Sequence, residues 1–474
     1  MSGPGTAAAA PASAPPGSAA PLKARMLHAA GWLVGGNVSS QVLRLASSLI
    51  LTRLLLPEAF GLVAAVSTLY FALVMFSDLG VWQSVVKSDR GHDPRFLGTA
   101  WTVQLLRGAL LCAVVLALAL GLHVAAGAGM FAAGTVYADP RLPPMVAAFA
   151  LAALLQGAES MKLASAQREL RGGQIARLEI GSQLVAMAVT LALALATRSV
   201  WSLVAGTLVS AAARAVASHL YLPGRGARPC WDASSARELV GFGKWIFLSS
   251  IIGFLAANGE KIILGGSLST ASFGVFAIAA TLLAAVTGVY ASLNGHVIFS
   301  SLAQALRGER SGLVRVYTRV QQLADLFLGT AAGVLLTAGP WAVWILYDPR
   351  YHAAGWMLQW LGLGLLAMRH QVVEQLMFAR GKPGWVSANN ALRAVGLVVF
   401  IPAGFAVAGE RGAIAGVVLS QFASWPLSLR FKRGQGLLCW ATEKWWLPAL
   451  AAGMALGLAC DRLAGAWLPR ALLH

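Results

Sequence analysis

Charge is scarce in this chain of 474 residues. Only 11% of the residues are charged, and the 18 Asp and Glu are outnumbered by 36 Lys and Arg. A soluble globular chain carries roughly 25% charged residues. Apolar runs of about 20 residues recur along the whole sequence, and each is long enough to span a hydrocarbon core of about 30 Å. The composition therefore predicts an all-α polytopic membrane protein.

Cysteine and recognisable catalytic motifs are scarce as well. The four cysteines do not fall at metal-ligand spacing, so neither a disulfide framework nor a zinc site is predicted. The histidines form no HExxH cluster and no glycine-rich stretch matches a P-loop, which argues against a built-in ATPase. No loop exceeds about 25 residues, which leaves no room for a soluble catalytic domain. We expect no cofactor, no metal and no enzymatic activity.

The first residues lack an uninterrupted apolar core. MSGPGTAAAAPASAPPGSAAPL consists almost entirely of Ala, Pro, Gly and Ser, and its prolines argue against a signal peptide. We predict a disordered cytoplasmic tail over residues 1–27, with the first spanning helix as an uncleaved insertion signal.

The loops show a strong charge asymmetry. Basic stretches such as KSDRGHDPR, PGRGARP, RGERSGLVR and RFKRG follow even-numbered helices, whereas the opposite loops hold five basic residues: Arg53, Arg141, Arg198, Arg350 and Arg411. The positive-inside rule then places the N-terminus in the cytoplasm, and it also accounts for most of the net charge of +18. Because no aromatic-basic module accompanies the charge, nucleic-acid binding is not expected. The predicted helices are 30–52, 60–82, 98–121, 143–162, 175–197, 200–222, 245–266, 273–299, 321–346, 356–378, 386–408, 412–430 and 445–464.

The sequence repeats itself. LTRLLLPEAFGLVAA (51–65) aligns with LGGSLSTASFGVFAI (264–278) at an offset of 213 residues, and Glu159 echoes Glu374 at an offset of 215. Such a parallel repeat predicts two six-helix lobes around a central cavity, with about 12–13 transmembrane helices in all. The predicted units are the lobes 28–222 and 244–430, a cytoplasmic linker 223–243, and a segment 431–474 with a loop and one further transmembrane or interfacial helix.

Several charged residues lie inside the predicted helices, where they must face a wet interior or each other. Arginine binds phosphate through paired hydrogen bonds, so an interior with several arginines suits an anionic, hydrated substrate. His370 and Glu374 lie four residues apart on one helical face, either as a local hydrogen-bonded pair or as a proton-coupling pair. Asp78 either faces the interior or marks the membrane edge, and Lys261 can extend toward the interface. The candidate substrate contacts are Arg44, Arg107, Arg214, Arg369, Arg393 and Lys261, and the candidates for ion coupling or gating are Asp78, Glu159, Glu260, Asp325, Glu374 and His370.

LTRLLLPEAFGLVAAVSTLYFALVMFSDLG resembles the opening of bacterial polysaccharide transporters, the lipid-linked oligosaccharide flippases of the MOP superfamily. Arg53, Leu55, Pro57 and Phe60-Gly61 supply the usual pattern, which closes on Asp78-Leu79-Gly80. In the second half EKIILGGSLSTASFGVFAIA is similar to the acid-x-x-x-Leu-Gly stretch of the family, with Glu260 at the acidic position, and FARGKPG (378–384) resembles the loop after its tenth helix. Many members have 14 helices, whereas the end of this chain allows one span beyond the twelfth.

The resemblance implies a multi-pass protein of the bacterial inner membrane that works by alternating access. Its substrate would be an undecaprenyl-pyrophosphate-linked oligosaccharide whose head group crosses a cationic cavity, in contact with membrane lipids. The resemblance also implies a monomer that serves a polysaccharide polymerase and export machinery. On this basis we expect that Arg44→Ala or Arg369→Ala abolishes polymer export while the protein remains inserted.

Two other functions stay open at this point. A cation-coupled antiporter of small molecules in the same superfamily would depend on Glu159, Glu260 and Glu374. A membrane glycosyltransferase or polymerase would need catalytic carboxylates in a sugar-binding loop, and the loops offer only short candidates such as KSDRGHD and YADPR.

Overall fold

The computed structural model describes residues 22–78, 80–224 and 226–467. Within these ranges the chain is helical, and the sole β-type pairing is an isolated antiparallel bridge between Thr135 and Ser269. Seven of the described helices are long and apolar enough to cross a bilayer, or eight if one bent pair counts as a span. The prediction of an all-α polytopic membrane protein is confirmed.

Eight helices form the first lobe, and proline places several of their starts. Pro57 and Pro94 occupy first-turn positions, where the missing N–H has no intrahelical partner to lose. Asp93 caps the helix that begins at Pro94, by accepting a hydrogen bond from the Arg95 backbone N–H. The helices are α1 (Leu22–Leu54), α2 (Pro57–Phe76), α3 (Val81–Lys87), α4 (Pro94–Gly127), α5 (Leu142–Gly157), α6 (Lys162–Arg168), α7 (Gly172–Thr197) and α8 (Trp201–Leu220).

The second lobe repeats this order, and one further helix follows it. A single turn of π-helix, Asn294–Ile298, joins its second helix to a short third one. The helices are α9 (Ala233–Ser267), α10 (Thr270–Leu293), α11 (Phe299–Ala305), α12 (Arg310–Leu346), α13 (Ala354–Leu363), α14 (Leu365–Met368), α15 (Gln371–Ala379), α16 (Pro383–Phe422), α17 (Trp425–Gln435), α18 (Trp440–Glu443) and α19 (Trp446–Trp467).

α16 is a tight antiparallel hairpin, and its second arm leads directly into α17. Ala408 and Gly409 leave the helical conformation, and Gly409 has a φ of +58°, which favours glycine. A Cβ on Gly404 would overlap the carbonyl of Gly412, so the two arms touch along their backbones. The hairpin corresponds to the predicted helices 386–408 and 412–430.

Three segments differ from the expected boundaries. α1 begins at Leu22, so residues 22–27 are helical rather than part of the tail, because LKARML consists of good helix formers after the last proline; residues 1–21 lie outside the described residues. α9 begins at Ala233, inside the predicted linker, where Asp232 caps it by accepting from the Ser235 backbone N–H. The fourth span of the first lobe is broken, with α5 and α6 inclined at 58°.

The lobes meet where the two copies of the repeat face each other. A Cβ on Gly61 would overlap the carbonyl oxygen of Thr270, and a Cβ on Gly274 would overlap that of Pro57. Gly274 and Thr270 lie 213 positions after Gly61 and Pro57, so each contact is the image of the other. A pseudo-two-fold axis therefore passes between α2 and α10, as the predicted parallel duplication requires.

α19 packs along α12 in parallel. Cβ atoms added to Gly329, Gly333 and Gly457 would clash with Ala449, Leu450 and Thr337 respectively, so the contact advances in the same direction on both helices. Small residues let the two backbones approach closely, which is how helices associate in lipid. α19 thus extends the second lobe by one helix.

Loops alternate between two ends of the helical layer. The end with the connecting segments 80–93, 158–171, 221–224, 226–232, 306–309 and 380–382, of which the first two contain α3 and α6, is called the basic end. The other, called the opposite end, holds loops 55–56, 128–141, 198–200, 268–269 and 347–353 together with the turn at 408–409.

Candidate functional site

A cavity of about 530 Å³, which we call the main cavity, lies in the second lobe, against α1 of the first lobe. It brings together three of the sequence candidates, Glu260, Lys261 and Arg393, although they come from two different helices. Four amide side chains join them in the lining: Gln41, Gln371, Asn390 and Gln421.

The charges of this cavity are nearly balanced. Arg393 donates to Glu374 at 2.6 Å and to the Ser424 hydroxyl at 3.1 Å. The Lys261 ammonium donates to the Asn258 side-chain oxygen at 3.1 Å. The amides each carry both donors and acceptors. The lining is therefore rich in amides and only weakly cationic.

Arg44 lies on the face of α1 that looks toward the second lobe. Asn37 donates to the Ser292 hydroxyl at 3.4 Å, Gln41 lines the cavity, and the hydroxyls of Ser48 and Tyr347 lie 3.1 Å apart. Positions 37, 41, 44 and 48 fall on one helical face. Arg44 is exposed, and its side chain has no hydrogen-bond or ion-pair partner among the described residues. Arg44 is thus a cation on the interlobe face of α1 whose guanidinium is available to bind a ligand.

Arg107 and Arg214 line a smaller cavity of about 140 Å³ in the first lobe. Arg107 donates to the Val74 carbonyl at 2.7 Å and lies 3.9 Å from Asp78, while Arg214 lies 3.0 Å from Glu159. Each arginine here faces a carboxylate of its own lobe. Two of the candidate head-group contacts are thus already paired.

The echo between Glu159 and Glu374 has a structural counterpart. Glu159 lies in the break of the fourth span of the first lobe, Glu374 follows the breaks in the fourth span of the second, and each pairs with an arginine of its own lobe, Arg214 or Arg393. The side chains of His370 and Glu374 do not bond each other. His370 is buried and packs edge-on against Trp425 at 5.0 Å, and neither of its ring nitrogens has a hydrogen-bond partner among the described residues.

Arg369 does not line any of the cavities described here. Its guanidinium forms two parallel hydrogen bonds to Asp325, at 2.8 and 2.7 Å, and a third to Glu443 at 2.8 Å. The Lys432 ammonium donates to the other oxygen of Glu443 at 2.6 Å. All four side chains are buried. Arg369, predicted as a substrate contact, and Asp325, predicted for ion coupling or gating, belong in the structure to a neutral four-charge network within the second lobe.

Lys432 and Glu443 are missed by sequence reasoning. Lys432 stands in RFKRG, which has the pattern of a solvated basic loop, and Glu443 lies 74 positions after Arg369. Hydropathy indicates the depth of each residue in the membrane but not which side chains meet, so it could not show that Glu443 pairs with Lys432 and Arg369.

The lobes also contact each other at the opposite end, in what we call the opposite-end seal. The Tyr137 hydroxyl of the first lobe donates to the Ile262 carbonyl of the second at 2.9 Å. In return, the Tyr351 hydroxyl of the second lobe donates to the Leu55 carbonyl of the first at 2.8 Å. Arg350 adds a bond to the Thr52 carbonyl at 3.2 Å. Each lobe thus donates a hydrogen bond to the other from a tyrosine in the loop between its third and fourth spans.

A short duplicated motif supports these loops. In these two loops Asp-Pro-Arg occurs at 139–141 and at 348–350, and a search for repeated loop motifs would have found it; a third Asp-Pro-Arg, at 93–95, lies at the start of α4 instead. In each of the two loop copies the aspartate accepts from the backbone N–H and the guanidinium of the arginine two positions later. The bonds from Arg350 hold the pKa of Asp348 below its ordinary value, and those from Arg141 do the same for Asp139 although partial burial acts to raise it. Both aspartates are therefore charged at neutral pH.

Removing both seal hydroxyls should favour opening at the opposite end. Each lost hydrogen bond removes about 0.5–1.5 kcal/mol, so Tyr137→Phe with Tyr351→Phe should raise the open population about 5- to 150-fold. Distances between spin labels at Arg198→Cys and Arg411→Cys, in a variant without the four native cysteines, would measure it. Tyr221→Phe, at the basic end, is the matched control. An unchanged distance distribution in the double variant would show that the hydroxyls do not hold this end closed.

Comparisons with known proteins agree with this architecture. Residues 50–354 match the sequence profile of a family described as Polysaccharide biosynthesis protein. A curated relative, the succinoglycan biosynthesis transport protein ExoT of Rhizobium meliloti (strain 1021), is 24% identical over 344 residues. The match covers 71% of this chain and 65% of that protein, so the chain spans less than two thirds of its relative's length.

Solved transporters share the fold. An inward-facing multidrug resistance transporter of the MATE family, from the MOP superfamily, aligns with a TM-score of 0.65 and 15% identity over 85% of this chain and 96% of that one. The lipid II flippase MurJ in an inward closed conformation aligns with a TM-score of 0.59 and 11% identity over 93% of this chain and 99% of that one. The two-lobe fold predicted from the repeat is confirmed.

Proposed function

We propose that this chain, which belongs to the polysaccharide biosynthesis protein family, is a flippase for a polyprenyl-pyrophosphate-linked oligosaccharide. It would move the head group across the bacterial inner membrane by alternating access, for polysaccharide biosynthesis and export. In this proposal the N-terminus and the basic end are cytoplasmic, and the chain acts as a monomer that serves a polymerase and export machinery.

The amide-rich lining of the main cavity is the observation that carries the proposal. Gln41, Gln371, Asn390 and Gln421 surround a space of about 530 Å³. Sugar hydroxyls both donate and accept hydrogen bonds, and amide side chains can satisfy both roles. Sugar and pyrophosphate cannot cross hydrocarbon unsolvated, so such a lining offers the polar path that they need.

The charges beside the cavity favour an anionic cargo. At the main cavity Lys261 and Arg393 are offset by Glu260 and Glu374, and Arg44, on the α1 face that also carries the cavity residue Gln41, adds one positive charge. Guanidinium groups bind phosphate oxygens in pairs. We therefore assign the oligosaccharide to the amides and the pyrophosphate to the interlobe face that carries Arg44.

The opposite-end seal supports loading from the basic end. Cross-lobe bonds from Tyr137, Tyr351 and Arg350 close the opposite end. The substrate would enter from the cytoplasmic side, where lipid-linked repeat units are assembled in this proposal, and leave when the seal opens.

Reconstitution tests the proposal directly. In proteoliposomes, the wild type should translocate a labelled polyprenyl-pyrophosphate oligosaccharide, detected by a glycan-modifying reagent outside the vesicle. Asn390→Ala with Gln421→Ala should slow translocation about tenfold or more, because two hydrogen bonds to sugar are lost. Arg411→Ala, at the opposite end, serves as the control. Absence of translocation by well-folded wild-type protein would refute the flippase assignment.

A cation-coupled small-molecule antiporter is the second candidate. It is favoured by Glu260 in the main cavity and by the fold likeness to MATE transporters. Efflux of a lipophilic cationic dye from the same vesicles, driven by a sodium or proton gradient and lost in Glu260→Gln, would favour it. The flippase proposal expects no dye efflux.

A further inference from the structure

A third cavity lies at the basic end of the second lobe and has a volume of about 380 Å³. It forms where the turn between α11 and α12, the turn between α15 and α16, and the end of α17 meet. Arg310 and Arg380 supply its charged walls, while Gly308 and Gly434 leave the space between them free of side chains. It is separate from the two cavities described above.

The two arginines of this cavity lack acidic partners. No carboxylate belongs to the lining, and no ion pair joins Arg310 or Arg380 to an acid in the described part of the chain. The guanidinium of Arg310 makes a single contact, to the Gln435 carbonyl at 3.5 Å, whereas that of Arg380 has no hydrogen-bond partner among the described residues. By contrast, Arg90 at the same end of the first lobe lies within 4 Å of three acids. The positive charge of the cavity is thus left for a ligand.

Neighbouring residues add to this charge and place it at the edge of the bilayer. Arg307, Lys382 and Arg433 are exposed beside the cavity in the chain. Trp385, in the first turn of α16, packs edge-on against Phe431 at 5.3 Å. Tryptophan side chains are enriched at the membrane interface, which supports placing the turn at Arg380 near the lipid head groups.

We propose that this cavity binds the phosphate group of an anionic phospholipid. Two guanidinium groups, one at the start of α12 and one in the turn between α15 and α16, match the several oxygens of one phosphate, and basic pockets between membrane helices suit anionic head groups. A bound lipid would tie α12, α15 and α17 together at the basic end of the second lobe. The proposed cytoplasmic orientation decides only which leaflet supplies the bound lipid. The inference does not depend on the transported substrate.

Native mass spectrometry of the full chain tests the site. Protein from micelles supplied with equal phosphatidylglycerol and phosphatidylcholine should retain phosphatidylglycerol selectively. Arg310→Ala with Arg380→Ala should together weaken that retention about 30-fold, because the loss of each arginine lowers the affinity for the lipid about tenfold or less. Arg315→Ala with Arg319→Ala, exposed on the same helix but outside the cavity, should retain the lipid like wild type.

Two further measurements make the outcome decisive. Thermal unfolding in phosphatidylcholine alone should be equal for the wild type and the double variant, and phosphatidylglycerol should raise the midpoint of the wild type only. Inorganic phosphate at millimolar concentration should not displace the lipid. Undiminished phosphatidylglycerol binding by the double variant would overturn the site, and full displacement by inorganic phosphate would overturn the lipid as its ligand.

Discussion

Arg369→Ala is expected to remove most of the folded protein rather than to leave an inserted protein that cannot transport. The substitution would leave Asp325 without a counter-charge and Glu443 with Lys432 alone, all of them buried. Removing one partner from a buried ion pair destabilises a protein by about 3–5 kcal/mol. This expectation replaces the one from sequence, which treated Arg369 as a contact for the substrate.

Size-exclusion chromatography of a fluorescent fusion, together with the midpoint of thermal unfolding, would measure the effect. Arg171→Ala is the matched control, because its ion pair with Glu169 is exposed and such pairs contribute only about 0–1 kcal/mol. Glu443→Gln should lower the midpoint as Arg369→Ala does, since it leaves Lys432 buried without a carboxylate. An unchanged midpoint for Arg369→Ala would mean that the network does not stabilise the second lobe.

Arg44→Ala should have the opposite profile, with normal folding and little transport. Arg44 is exposed on the interlobe face of α1 and makes no bond that folding would lose. A hydrogen bond to a charged group contributes about 1.5–3 kcal/mol, so losing a paired contact with pyrophosphate should slow translocation about 100-fold or more.

The conservative variant and a second arginine sharpen this result. Arg44→Lys keeps the charge but loses the paired geometry, so it should restore only part of the rate. Arg177→Ala should transport like wild type, because Arg177 lies over the ring of Trp32 at 5.2 Å, away from the main cavity. Wild-type transport by well-folded Arg44→Ala would remove Arg44 from the substrate path.

Arg44 and Arg369 show where sequence reasoning about the site reaches its limit. Both are arginines deep within apolar segments, and depth along a helix follows from a rise of 1.5 Å per residue. The direction in which each side chain points, and what it meets there, depends on neighbouring helices. Arg369 meets Asp325 and Glu443, whereas Arg44 is exposed and has no hydrogen-bond or ion-pair partner among the described residues.

Helix boundaries show a similar limit. The hydropathy pattern predicted continuous fourth spans at 143–162 and 356–378. In the structure the first is broken near 158–161, and the second is broken at Gly364 and at Arg369-His370. Broken spans are stable only where neighbouring groups satisfy the freed backbone. Gln104 does this in the first lobe by donating to the carbonyls of Gln156, Gly157 and Glu159.

The sequence by itself determined that this protein is an all-α membrane protein of two duplicated lobes. A bilayer requires long apolar segments of any chain that crosses it, and a duplication leaves equal spacing, as in Phe60-Gly61 and Phe273-Gly274. Only the tertiary structure decided which charges are free. Arg107, Arg214, Arg369 and Arg393 face carboxylates that lie far from them in the chain or on other helices, and Arg44 does not. The reason is that a buried charge is stable only beside a partner, and packing alone selects that partner.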